Sequence, residues 1–337
     1  MSMNQNDGPR VSVVTPFYNT AEYLPACIES VLAQTYPDFE YLLVNNCSTD
    51  GSADIAERYA RDDRRIRVTH NAGFLSQVQN YNNALRQISR ASRYCKIVQA
   101  DDLLFPRCLE EMVAVADAHP SIGIVGAYTL IEKDVYLDAL QYPSPFVPGR
   151  EICRRFLLDG VFVWGSNTAT MLRADLVRSR DRFYPENSPF EDVDMCFELL
   201  EHADFGFVHQ VLTFTRRSNE SIMSGWRTFR PFTLMEMIAI ERYGPRFLAV
   251  DEWRLRRRQV ARAYYGILGE GVLRRRPKAF WDLHRKGLAF AGLRLSRPRV
   301  AWHVLLEALR LALNPQQTAA RLIDRKRRRA AAPPGSR

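Results

Sequence analysis

The chain has no cysteine pair at metal-ligand or redox spacing. Its six cysteines (Cys27, Cys47, Cys95, Cys108, Cys153 and Cys196) are scattered, without a CxxC or a Cys/His cluster. This argues against a zinc module and a disulfide framework and predicts reduced thiols. No G-x-G-x-x-G follows the first apolar run, which argues against a nicotinamide dehydrogenase. No stretch reaches the roughly 18 apolar residues of a spanning helix. The polar segment Met1–Arg10 lacks the apolar core of a signal peptide. These absences predict a protein of the cytoplasmic side. No internal repeat is present.

What is there is a globular composition, 46% hydrophobic and 25% charged over 337 residues, enough for one large domain and an appendage. The net charge of +9 hides an asymmetry. From Asp251 onward 22 Lys/Arg stand against 6 Asp/Glu, whereas residues 1–250 hold 25 basic and 32 acidic groups. A mildly acidic body is joined to a strongly basic tail, and the two are expected to meet different partners.

Residues 11–130 alternate short apolar runs with helical periodicity, the pattern of βαβ units and a mainly parallel sheet. Strands are predicted at Val11–Val14, Tyr41–Val44, Ile66–Val68, Tyr94–Val98 and Ile122–Val125. Helices are predicted over 21–33, 54–60, 76–90 and 107–118. Residues 134–149, with three prolines and three aromatics, read as a mobile loop or flap. A short helix near 150–159, a strand near 168–172, a helix over 192–203 and strands near 205–215 follow. Beyond Arg230 the pattern is helical, at 231–243, 252–268, 278–290 and 299–312.

Four polar clusters fall at strand ends, and in open α/β sheets ligands bind at the carboxyl ends of strands. The first is Thr15-Pro16-Phe17-Tyr18-Asn19, whose ring and amide suit a flat base and a ribose. The second, Asn45-Asn46-Cys47-Ser48-Thr49-Asp50, turns into a helix; an Asn carbonyl there can accept the imide N–H of a pyrimidine. The third is Gln99-Ala100-Asp101-Asp102. Adjacent carboxylates repel unless a cation lies near, and a hard divalent ion brought by a phosphate-bearing substrate would satisfy them; an acidic helix cap is the alternative reading. The fourth is the pair Glu191-Asp192, which also reads as a helix-dipole device.

Together these clusters resemble the family 2 glycosyltransferases, nucleotide-sugar enzymes of the GT-A fold. The resemblance covers about residues 10–225 and rests on TPFYN at 15–19, QTYPDFEYLLVNNCSTDGS at 34–52, NAGF at 71–74, QADD at 99–102, SNTATMLR at 166–173 and ED at 191–192. It implies an α/β, Rossmann-like GT-A domain with a mainly parallel sheet flanked by helices and a C-terminal helical region. The implied layout is a disordered N-terminus (1–10), a catalytic domain (11–230) with nucleotide-binding (11–102) and acceptor (103–230) halves, a basic helical region (231–324) and a disordered basic tail (325–337).

Residue by residue, the resemblance implies a nucleotide-sugar site of Pro16, Tyr18, Asn19, Asn45, Asn46, Asp50, Gln99, Ala100, Asp101, Arg216 and Arg217. Asp101, with Asp102 beside it, would meet a divalent cation, Mn²⁺ or Mg²⁺. Asp192, beside Glu191, would be the catalytic base of an inverting transfer. Trp164 and Trp226 fall on the expected acceptor side, although Trp is highly buried on average. Two residues depart from the family pattern: Gln99 and Asn45 stand where carboxylates are usual, and a neutral amide attracts a cation less.

The expected activity is transfer of a hexose from a UDP- or dTDP-sugar to a saccharide hydroxyl, on a lipid-linked acceptor, in bacterial surface-polysaccharide assembly. A polyprenyl-phosphate acceptor and a catalytically silent scaffold are the alternatives. Arg256–Arg258, Arg274–Arg276 and Arg325–Arg329 alternate with apolar positions such as Phe280, Trp281, Trp302 and Leu305. Helices of this kind lie in an anionic membrane interface, here the inner face of the plasma membrane; a packed bundle with a solvated basic surface is the alternative. No nucleic-acid reading motif accompanies the charge, and an oligomer is compatible with the sequence.

Overall fold

In the computed structural model, which describes residues 10–216 and 229–313, the run Val11–Phe17 forms β1. Every residue of β1 is buried, as expected of a strand covered on both faces. Beside it lies β2 (Phe39–Asn45), parallel and in register from Val11↔Phe39 to Phe17↔Asn45. Next come β3 (Ile66–His70) outside β2, and β4 (Tyr94–Ile97) on the other side of β1, all parallel. Their connections are α1 (Leu24–Leu32), α2 (Ser52–Asp62) and α3 (Gln77–Leu85), each carrying the chain back to start another parallel strand. α3 is shorter than its periodicity suggests. It begins with a full capping box, Ser76 with Gln79.

Beyond β4 the sheet is mixed. Among the described residues it has ten strands, eight of them in the order β3-β2-β1-β4-β9-β6-β10-β5, with β7 beside β6 and β8 beside β10. The additional strands are β5 (Leu103–Leu104), β6 (Ile122–Ile131), β7 (Asp134–Tyr136), β8 (Phe146–Val147), β9 (Thr170–Arg173) and β10 (Asp204–Thr215). β9 runs antiparallel to both β4 and β6, whereas β6 and β10 are parallel. The helices of this part are α4 (Cys108–Ala118), α5 (Gly149–Asp159), α6 (Ala174–Arg178) and α7 (Glu191–Leu200).

The segment 134–149 is not a free flap. β7 pairs with β6 and β8 with β10, and the Ser144 N–H donates to His209 Nε2 at 2.9 Å. His209 Nδ1 lies 2.8 Å from the Tyr128 hydroxyl. Sequence periodicity misses this clamp because strands of two or three residues carry no pattern.

The chain divides into two units, one of residues 1–224 with 246–248, the other of 225–245 with 249–337. The described helices of the C-terminal part are α8 (Pro231–Arg242), α9 (Gly244–Phe247), α10 (Val250–Leu273), α11 (Lys278–Phe290) and α12 (Arg297–Leu313). Within the helical unit Leu234, Ile238, Tyr264, Leu268, Phe280 and Leu288 are buried. Gly269 lets α12 approach α10 closely, since a Cβ there would sit 2.7 Å from the His303 carbonyl carbon. No described helix is long and apolar enough to cross a membrane. The predicted tail at 325–337 and the N-terminal residues 1–9 lie outside the described residues.

Candidate active site

Two loops at the carboxyl ends of β1 and β2 are tied together by short polar side chains. Asn19, held at φ 48°, accepts the Thr49 N–H at 2.8 Å, and its own N–H donates to Ser48 Oγ at 3.0 Å. Asp50 accepts from the N–H groups of Ala21 and Ser52. Burial pushes the Asp50 carboxyl up, but bonds from Ser52 and Ala21 outweigh it and hold the group below its ordinary value. Both residues are exposed at the rim, where their side-chain oxygens hold the backbone of the two loops.

The asparagine pair also differs from its expected part. Asn45 accepts the Ser48 N–H at 2.9 Å and bonds His70 Nδ1 at 3.0 Å, and His70 reaches Glu57. Asn46 is 3% exposed. Its oxygen accepts from Leu75 N–H and Asn71 Nδ2, and its Nδ2 donates to the Leu75 carbonyl. Both amides, expected at a base, bond groups of their own loops and so supply partners to the loop backbone. Pro16, also expected at the nucleotide, lies buried inside β1, paired with Val44.

What this scaffolding presents is a pair of rings. Tyr18 is 46% and Phe74 64% exposed, with centroids 4.9 Å apart at 66°. Asn46 fixes the loop that carries Phe74. The NAGF motif marked this loop, but no periodicity marks Phe74 itself.

At the end of β4 the four residues take different directions. The Gln99 N–H donates to Thr168 Oγ1 at 3.0 Å, and its Nε2 donates to the Tyr81 hydroxyl at 3.1 Å. Ala100 is buried and Asp101 half-buried. Asp102 is 1% exposed. Its carboxylate accepts from the Thr215 hydroxyl at 3.3 Å and the Arg216 N–H at 3.2 Å, and burial pushes it up to about 7. Asp102, expected beside a cation, thus has its carboxylate bonded within the protein. It is buried and holds the Arg216 backbone.

Arg216 follows the end of β10, beside these residues. Its Nε donates to the Asp101 carbonyl at 3.4 Å, and the guanidinium sits 5.1 Å from the centre of the Tyr23 ring. Behind them Lys96 is fully buried, donating to the carbonyls of Thr168 and Thr170. Burial drives its ammonium below its ordinary value.

Glu191 and Asp192 open α7. The Ser188 hydroxyl donates to Asp194 at 2.5 Å and accepts the Phe190 N–H at 3.0 Å, setting the turn into the helix. Asp192 accepts the Val193 N–H at 2.8 Å. Burial, then the neighbouring Glu191 charge, pushes Asp192 up to about 7, and burial raises Glu191 as well. A carboxyl poised near neutrality is suited to proton transfer.

The two acidic clusters are joined through residues that sequence reasoning left aside. Asn82 on α3 grips the Tyr184 backbone from both sides, at 2.9 and 2.8 Å. The Tyr184 hydroxyl donates to Asn167 at 2.9 Å, and its ring lies 6.0 Å from that of Tyr81. Burial first, and the charges of Glu191 and Asp101, raise the Tyr81 phenol, whereas its bonds from Gln99 and Gln77 act the other way. Burial chiefly, with a contribution from Asp192, raises Tyr184. The Tyr81–Tyr184 wall thus feels both clusters. In sequence Tyr81 reads as an ordinary helix position, and Asn82 as either a cleft-facing residue or solvated helix surface.

Trp164 does not face an acceptor. It is fully buried, stacked 5.2 Å from Phe156 and edge-on to Phe197 at 5.7 Å, so its faces are spent on packing. Arg217 and Trp226 lie outside the described residues.

Residues 12–178 match the family described as Glycosyl transferase family 2. EpsE of Bacillus subtilis (strain 168), a provisionally named glycosyltransferase, is 35% identical over 211 residues, covering 60% of this chain and 70% of EpsE. The chain belongs to glycosyltransferase family 2. Glycosyltransferase GlyG of Streptococcus pneumoniae serotype 4 is 32% identical over 148 residues, 42% of this chain. That match spans 45% of GlyG, so the chain covers less than half of its length. Among solved structures, TarS 1–349 of S. aureus with UDP-GlcNAc superposes with a TM-score of 0.63 at 17% identity, covering 84% of this chain and 80% of that one. The mannosyltransferase PcManGT of Pyrobaculum calidifontis, solved with GDP-Man and Mn²⁺, gives 0.54 at 18% identity, covering 92% and 83%. At these identities the likeness establishes the fold, which is GT-A. For this family 2 chain the mixed sheet beyond β4 is therefore part of the fold, and a helical region follows it.

Proposed function

We propose that the protein is an inverting glycosyltransferase that moves a hexose from a nucleotide diphosphate to a saccharide hydroxyl. What carries this reading is that Gln99, at the Asp101 strand end, bonds Tyr81, which packs on Tyr184, and that the charges of Asp101, Glu191 and Asp192 act on these two rings, with Arg216 bonded to the Asp101 carbonyl. Asp192 takes the proton of the acceptor hydroxyl as that oxygen attacks the anomeric carbon. Arg216, held by Asp102, balances charge on the departing diphosphate. Tyr18 and Phe74 stack on the base, and a UDP- or dTDP-sugar is the favoured donor.

A divalent cation, Mn²⁺ or Mg²⁺, fits this arrangement. Such ions take one or two carboxylates and complete their shell with phosphate oxygens and water. Asp101 offers one half-buried carboxylate, and no cluster of three or more protein ligands occurs among the described residues. The ion would neutralise the leaving diphosphate when bound; Gln99, bonded to Tyr81, would support the wall rather than the ion.

The setting we propose is bacterial polysaccharide synthesis, on a lipid-linked acceptor at the cytoplasmic face of a membrane. TuaG of Bacillus subtilis (strain 168), whose provisional name places it in teichuronic acid biosynthesis, is 37% identical over 126 residues, and this supports the reading.

The deciding experiment is Asp192→Asn. Transfer should vanish while calorimetric donor binding stays within about twofold of wild type. Sustained turnover in that variant would remove Asp192 as base and favour an acceptor that brings its own anion, such as a polyprenyl phosphate. No transfer or hydrolysis by the wild type from any UDP-, dTDP- or GDP-sugar would favour a silent scaffold.

A further inference from the structure

The helical unit has a cavity of about 460 Å³ whose lining includes Arg257, Arg258 and Arg262 from α10, Arg299 and Trp302 from α12, and Glu241 from α8. Glu241 is taken by Arg257 at 2.5 Å. Among the described residues no carboxylate pairs with Arg258, Arg262 or Arg299. Arg299 lies over the Tyr265 ring at 5.6 Å instead. Three guanidinium groups around one concavity repel one another, and an anion seated among them relieves that repulsion. The geometry is fixed, because Gly269 seats α12 directly on α10.

An exposed apolar stripe on α12 starts at this cavity. Trp302, Leu305, Leu309 and Leu313 are 58%, 50%, 49% and 79% exposed. Their spacing of three to four residues puts them on one face of α12. Single exposed leucines need no explanation, but a continuous stripe does. Trp302 belongs to both features: it lines the cavity and heads the stripe.

We propose that this cavity binds the phosphate head of a membrane lipid, with the α12 stripe laid against the acyl chains. Charge complementarity selects the phosphate, and the adjoining apolar stripe selects a lipid over a free anion. The site sharpens the membrane attachment proposed above, yet it rests on the helical unit alone and needs no sugar transfer.

The test compares two full-length variants of equal charge in sedimentation with phosphatidylglycerol vesicles. Arg258→Gln/Arg262→Gln/Arg299→Gln removes the cavity arginines, whereas Arg275→Gln/Arg285→Gln/Arg294→Gln removes three surface arginines elsewhere in the unit. We expect the first set to weaken binding at least about tenfold and the second less than about threefold. Equal losses would overturn the site and leave general charge attraction. Inorganic diphosphate, or a short RNA, bound as tightly as the vesicles through the same arginines would overturn the lipid assignment. A second readout does not depend on those variants: brominated acyl chains should quench wild-type fluorescence, and Trp302→Phe should remove most of that quenching. Unchanged quenching in Trp302→Phe would overturn the apolar half of the site.

Discussion

The carboxylate of Asp102 accepts the backbone N–H of Arg216 at 3.2 Å, tying the end of β4 to the end of β10. Neighbours in sequence therefore have opposite duties: Asp101 stays at the surface of the cleft, and Asp102 positions a cation from another strand. Asp102→Ala should raise KM for the donor about tenfold through loss of Arg216 placement, with a smaller change in kcat. Asp102→Asn, which keeps an acceptor oxygen, should restore most of the affinity. Arg216→Gln should lower kcat by about 10²-fold or more. Steady-state kinetics of the three variants separate positioning from catalysis.

The carboxyl of Asp192 sits near 7 because burial and Glu191 disfavour its charge. The ionised form is the base, so kcat/KM should fall about tenfold for each pH unit below 7 and level off above it. The same shift affects stability with a definite sign. A carboxyl raised above its unfolded value costs stability as pH rises through 4 to 7, and the full cost persists above 7. Asp192→Asn should therefore unfold at higher denaturant at pH 8, by on the order of 1–2 kcal/mol, while losing transfer.

The exposed rings of Tyr18 and Phe74 contribute little to the core, so their removal should leave stability within about 0.5 kcal/mol. Base stacking is worth about 1–3 kcal/mol per base. Phe74→Ala and Tyr18→Ala should each weaken nucleoside diphosphate binding by roughly tenfold in calorimetry. Trp164→Ala gives the contrasting result, a loss of about 3–5 kcal/mol of stability from a cavity in the aromatic core.

His284 is fully buried in the helical unit, 3.0 Å from the Tyr264 hydroxyl and 3.1 Å from the Phe229 carbonyl. Burial lowers its value to about 4. Because the folded form resists protonation, its contribution is fully present above pH 6.5 and is lost as pH falls toward 4. Helical-unit stability should drop by about 3 kcal/mol across that window. His284→Gln should flatten that pH dependence in urea melts followed by circular dichroism.

The sequence by itself determined the parallel half of the sheet and the location of its polar strand ends. Val11–Val14, Tyr41–Val44 and Tyr94–Val98 are short, mostly apolar runs, and between them helical periodicity leaves little choice of topology. It also determined the charge division at the helical region and the positions of Asp101 and Asp192, because ordered motifs carry that information. Tertiary structure decided which polar groups remain available. Asn45, Asn46 and Asp102 are buried against partners that include His70, Leu75, Thr215 and Arg216, all far along the chain. Phe74 and Tyr81 acquire their surroundings the same way. β7 and β8 are too short to show a period and form only beside β6 and β10. Hydrogen-bond saturation is a property of neighbours in space. A local motif can mark a strand end as polar, but only the packed fold decides whether its carboxylates face the cleft or the core.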